Sequence, residues 1–96
     1  MLLGSRQITS GDVRRYVIDY SEFLQKGTTL TTPSASISAG ATSTVESVSL
    51  DDTNTKMILY VTGGSVLNET FTVNVVVHDT NNQVVNDTID FTVVSP

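Results

Sequence analysis

A single histidine, His78, lies next to Asp79, and this pair is the nearest approach in the chain to a general base with an orienting carboxylate. A nucleophile to go with it is missing. There is no cysteine, and no serine sits in a Gly-x-Ser-x-Gly elbow. His78 therefore reads as a surface or hairpin-end residue. One histidine also leaves zinc short of its three or four ligands. Oxygen ligands are more plentiful, at Asp51, Asp52, Asn54, Asp79, Asn81, Asn82 and Asp87. They lack the Asp-x-Asp-x-Asp-Gly order of a calcium loop, so ordinary turn chemistry is the expected use, with bound calcium the competing reading.

Paired carboxylates for glycoside hydrolysis must face each other across a sugar-sized cleft. Asp87 and Asp90 are three positions apart on one strand-like segment, so their side chains leave opposite faces. Asn68-Glu69-Thr70 and Asn86-Asp87-Thr88 are formal glycosylation sequons. The start of the chain shows no secretory signal, so they read as coincidence in a chain rich in Asn and Thr. The expectation is a protein that is not an enzyme, with no catalytic, cofactor-binding or metal-binding residue.

The elements that would position such groups are strands. Val is the commonest apolar residue, and Ser and Thr together make up roughly a quarter of the 96 residues. Lys56–Thr62 alternates cleanly, with Met57, Leu59 and Val61 on one side. A long terminal hairpin follows, with Phe71, Val73, Val75 and Val77 alternating before the turn Thr80–Gln83, and Ile89, Phe91 and Val93 after it. Thr44–Leu50 is a shorter strand. Thr28–Ser38 is a polar one, bent or confined to an edge by Pro33. Ala39–Ala41 and Asp51–Asn54 are turns.

Residues 13–25 carry two periods at once. The spacing of Val13, Tyr16, Val17, Tyr20, Phe23 and Leu24 suits a helix, whereas Tyr16, Ile18 and Tyr20 alternate. The preferred reading is a strand over about 14–20 and one helical turn over 21–25, with a continuous helix as the alternative. Residues 1–12 read as an N-terminal arm, ordered only where a partner or the domain's own edge holds it. Residues 13–96 then form an all-β domain, an immunoglobulin-like antiparallel sandwich of six to seven strands. No tryptophan is present for the position an antibody domain would fill.

Net charge is −5, unevenly spread. Arg6, Arg14, Arg15 and Lys26 all precede Gly27, and only Lys56 follows it, against seven acids. The body of the domain lacks the clustered cations that nucleic acid requires. Met1–Leu3 is too short for a signal-peptide core or a membrane span, so no membrane partner is expected. A basic N-terminal segment facing an acidic neighbour is the sharper reading of the asymmetry.

The order of features resembles small immunoglobulin-like proteins encoded among the structural genes of tailed bacteriophages and prophages. The residues that carry the likeness are Asp19–Leu24, Gly27–Leu30, Ser47–Leu50, Met57–Gly64, Asn68–Val75 and Asp87–Val93. Phe23 stands where many relatives would have Trp. The resemblance implies a virion component made in the bacterial host cytoplasm, such as a head decoration, fibre-base or head–tail accessory protein. It implies other virion proteins as partners and many copies, or a homo-oligomer, in an assembly. Candidate partner-binding residues are Arg6, Arg14 and Arg15 near the N-terminus, and Val76 and Val94 on the hairpin's outer face. The alternative is a cell-surface or carbohydrate-binding adhesion module using the sandwich-end loops.

Overall fold

The computed structural model describes all of residues 1–96. It consists of seven strands: β1 (Leu2–Thr9), β2 (Val13–Asp19), β3 (Leu30–Ile37), β4 (Thr44–Leu50), β5 (Lys56–Thr62), β6 (Thr70–Asp79) and β7 (Val84–Val94). They form two sheets, of order β1-β7-β6-β3 and β2-β5-β4. All neighbouring strands run antiparallel except β1, which lies parallel to β7. No helix is long and apolar enough to cross a membrane.

The alternation in the sequence decides which side chains meet between the sheets. Met57, Leu59 and Val61 of β5 are sealed from solvent, as are Val73, Val75 and Val77 of β6 and Val93 of β7. Phe91 of β7 lies directly opposite Phe71 of β6, with the rings stacked at 5.0 Å. From the other sheet, Tyr16 of β2 presents its ring edge-on to Phe91 at 5.2 Å. Such pairs add about 0.5–1.5 kcal/mol beyond the area they bury. Phe91 therefore joins neighbours within its sheet and across the sandwich.

Two turns use one device. In each, an aspartate at the strand end accepts hydrogen bonds from backbone N–H groups further along the turn. An asparagine three residues on takes the left-handed conformation. Asp51 Oδ1 accepts from Thr55 (2.9 Å) and Lys56 (3.0 Å), and Asn54 has φ 55°. Asp79 Oδ1 accepts from Asn81 (2.8 Å) and Gln83 (2.9 Å), and Asn82 has φ 63°. A short side chain that bonds its own backbone suits the aspartate position, and Asn tolerates positive φ.

Residues 21–25 do not form the helical turn expected there. The N–H groups of Phe23 and Leu24 both bond to the Tyr20 carbonyl, at 3.0 and 3.1 Å, and the pattern does not continue. One closed ring cannot offset the cost of nucleating a helix. Gln25 instead accepts from Thr28 (3.0 Å), and Gly27 turns the chain at φ 83°. The competing continuous helix is replaced by β2, paired with β5 along its whole length.

The first twelve residues are held by the domain's own edge. β1 runs beside β7, and Ile8 is buried in the core. Thr9–Asp12 then meets Gly63-Gly64 at one end of the sandwich, where Gly63 N–H bonds to Asp12 and Gly11 N–H to Gly63, each at 2.9 Å. Ser10 Oγ donates to Gly64 (2.7 Å), and Gly64 N–H donates to Ser43 Oγ (2.9 Å). A Cβ on Gly64 would lie 2.6 Å from the Ser43 nitrogen, and one on Gly63 would press into the Thr9 carbonyl. Three backbone segments pack here with no space for a methyl group.

Two substitutions test this packing by urea unfolding. Phe91→Ala is expected to cost about 3–5 kcal/mol through the cavity it leaves. Gly64→Ala is expected to cost about 1–3 kcal/mol through overpacking, although the site is not in the apolar core. Wild-type stability for either variant would contradict the contact described for it.

Candidate interaction surfaces

The groups that could do chemistry are spent on structure. Asp51 and Asp79 serve their own turns. The Asp51 carboxyl is held down at about 2, chiefly by the Thr53 hydroxyl, with backbone N–H groups adding to the effect. Asp87 is buried and accepts a hydrogen bond from Tyr20 Oη at 2.8 Å. The Met1 ammonium lies 3.4 Å from its other oxygen. Burial and the Asp87 carboxylate push the Tyr20 hydroxyl well above its usual value. Asp90 lies on the opposite, outer face and accepts from Thr72 Oγ1 at 2.8 Å. No three His, Asp or Glu side chains converge in a way that could hold a metal ion.

What the molecule offers is surface. The outer face of β1-β7-β6-β3 is polar. It carries Thr70, Thr72, Asn74, Val76 and His78 from β6, with Thr88, Asp90, Thr92 and Val94 from β7. A shallow depression of about 370 Å³ on it is lined by Ser5, Ser38, Thr70, Thr72, Asp90 and Thr92, with the edges of Phe71 and Phe91. Val76 and Val94 are both half-buried on this face but far apart, since Val76 pairs with Asn86 and Val94 with Thr9. They do not form one patch.

The outer face of β2-β5-β4 is more apolar. Val13 and Val17 are exposed on β2, beside Ile58 and Tyr60 of β5. Arg15 stands directly opposite Tyr60 on this face.

Arg6 and Arg14 lie elsewhere, at the open side of the sandwich where β1 and β2 are the sheet edges. A groove of about 230 Å³ runs there, lined by Leu3, Gly4, Arg6, Tyr16, Val17, Ile18, Asp19 and Ile89. Burial pushes the Tyr16 hydroxyl up, while the charges of Arg14 and Arg6 pull it back. Arg14 also meets Asp12 at 3.5 Å on the surface, a pair worth little in water. Arg6 donates to the Ser5 carbonyl at 3.1 Å and has no carboxylate partner.

The structure thus puts Arg6 and Arg14 on the two edge strands of the open side, Arg6 lining the groove and Arg14 paired with Asp12, and sets Arg15, Val76 and Val94 on the outer faces. Sequence reasoning missed the groove, because it is made by two strands that meet only through the stacking of the sheets. It also missed Phe23, which is 46% exposed beside Tyr20 in the loop between β2 and β3. That loop is bonded to both aspartate turns, through Tyr20 N–H to Thr55 and Thr80 N–H to Thr29.

Two sheets with exposed edges and a shallow groove, and without a deep cleft, define a small β module that works through its surfaces. Residues 9–92 match the family model for the podophage GP4 fiber-tail adaptor protein gp77, and the chain belongs to this family. It is accordingly a small phage structural protein. No curated protein matches it.

The buried Tyr20–Asp87 pair gives a prediction. Tyr20→Phe leaves a buried carboxylate without its hydroxyl donor and is expected to cost about 1–3 kcal/mol. Because the folded state raises the Tyr20 hydroxyl above its unfolded value near 10, this contribution is complete below pH 10 and fades as the pH rises beyond it. Thermal melts of the two chains should converge in strong alkali; a constant difference across that range would contradict the linkage.

Proposed function

We propose that the chain is a non-enzymatic virion protein that helps connect fibre to tail by binding other virion proteins, in many copies, and that it is made in the host cytoplasm. The observation that carries this reading is the match of residues 9–92 to a fibre–tail adaptor family. The shape agrees with it. At 44 × 22 × 18 Å the domain is elongated, with contact surfaces on both faces and along one open side. The family's description favours a position at the fibre base over a head decoration.

The fold supports an immunoglobulin-like assignment. Sheets of order β2-β5-β4 and β3-β6-β7 reproduce the B-E-D and C-F-G arrangement of that sandwich, with β1 added beside β7. The N-terminal segment binds through β1 and its basic residues, and a sheet face supplies further contact. Neither nucleic acid nor a membrane is a partner in this reading.

Phe23 is the one observation that favours the adhesion alternative, because an exposed ring at the loop end can stack on a sugar. It stands alone there, with no second exposed ring at that end.

Phage assembled without this chain should be tailed particles that lack fibres, and mass spectrometry of normal purified particles should find it in many copies. Complete, fibred particles made in its absence would overturn the proposal. Binding of free Phe23-containing protein to a glycan array, lost in Phe23→Ala, would favour the adhesion module instead.

A further inference from the structure

Four strands lie at sheet edges, and an uncovered edge is a template for another strand. Two of the four are blunted. β3 shifts register between Thr31 and Ser34, with Pro33 in the gap and Thr32 at φ 51°. β4 shifts between Val45 and Ser47, leaving the charged Glu46 as the extra residue. Bulges, prolines and charges of this kind stop edge-to-edge pairing.

The open side has no such interruption over most of its length. β1 keeps register with β7 from Gly4 to Thr9, and β2 keeps register with β5 from Val13 to Asp19. In the parallel ladder alternate residues bond to the partner. The Ser10 N–H bonds to Val94, so the even-numbered residues of β1 face β7. Ser5 and Gln7 therefore turn their N–H and C=O groups away from the sheet. Arg6 faces the groove between them, and its guanidinium lies over Gly4, so that a swing of Arg6 toward an incoming carboxylate uncovers the glycine for a side chain from outside.

We propose that the free edge of β1 takes an added strand from another virion protein, one that places a large apolar side chain beside Gly4 and a carboxylate beside Arg6. The backbone bonds come from Ser5 and Gln7, with Arg6 leaving the Ser5 carbonyl it holds at 3.1 Å for the incoming carboxylate. The apolar side chain enters the groove against Leu3, Tyr16 and Ile18, and Arg6 gains the carboxylate it lacks within its own chain. This is strand addition, in which main-chain bonds give affinity and alternate side chains give selectivity. The identity of the partner as a virion protein rests on the function proposed above.

A second copy of the chain does not fit the site. Two-fold pairing of β1 with β1 brings the arginines of the two open sides together, and like charges set opposite each other are destabilising. Of the three other edges, β2 carries Arg14 and Arg15 and repeats that like-charge contact, while β3 and β4 are bulged and present no flat strand.

The probes are two blocked peptides, Val-Thr-Phe-Thr-Glu-Thr-Val and the same sequence with Lys in place of Glu. They are titrated into the full ¹⁵N-labelled chain. The Glu peptide should shift the amides of Ser5 and Gln7 and slow their hydrogen exchange, and the Lys peptide should bind about tenfold more weakly. Arg6→Glu, at an exposed position, should reverse that preference. Gln7→Pro removes an outward N–H while sparing the bonds to β7, and should abolish binding with the thermal midpoint retained. If Gln7→Pro fails to fold, the Arg6→Glu reversal decides.

Equal binding of the two peptides, shifts confined to β3, β4 or the outer faces, or no shift at all would overturn the proposal. In phage, Arg6→Glu should reduce the copies of the chain per particle about tenfold. Undiminished incorporation would overturn docking through this edge. If the wild-type chain is itself missing from particles, the virion reading falls, and the peptide titration alone judges the edge.

Discussion

The sandwich depends on the contact that Phe91 makes in two directions. Its ring stacks on Phe71 within one sheet and meets the edge of Tyr16 from the other. A domain of this size has little core to spare, and below about 100 residues each buried aromatic is a large share of the apolar burial. With Phe91 in place, the valines of β6 and the Met57, Leu59 and Val61 row of β5 face each other across a sealed layer. The polar partners in the alternation are then directed outward.

That division has a functional consequence. Inward side chains are committed to the core, and acidic side chains such as Asp51, Asp79 and Asp87 are committed to turns or to a buried tyrosine. The surfaces that remain are a polar Thr-rich face, a more apolar face around Val17 and Tyr60, and the open side where Arg6 and Tyr16 line a groove. These surfaces are compatible with membership of a family of fibre–tail adaptors.

The two sides of the sandwich are treated differently. Pro33 and the bulge at Glu46 disrupt β3 and β4 in mid-strand, whereas the shift in β1 lies at its start, between Leu2 and Gly4, and β1 from Gly4 to Thr9 and all of β2 stay regular. Edge protection prevents unwanted association, so its absence on one side only is a selective exposure. The unpartnered Arg6 on that side gives the exposed edge a charge preference as well as a shape.

The amino-acid sequence by itself determined which segments are extended, which side chains are buried and where the chain turns. Period-2 alternation and Asp/Asn turn chemistry are local properties, legible at Met57–Val61, Phe71–Val77, Asp51 and Asp79 without knowing what lies opposite. It also showed that the cations cluster early in the chain. Tertiary structure decided what depends on partners distant in sequence. β1 becomes a strand because β7 offers it an edge, and 21–25 closes a single turn at the Tyr20 carbonyl that the chain then leaves at Gly27. Gly63-Gly64, legible only as the end of a strand, proves to be where three backbone segments touch. The groove at Arg6 and Tyr16 arises only when two sheets stack, and no local pattern of residues encodes that juxtaposition.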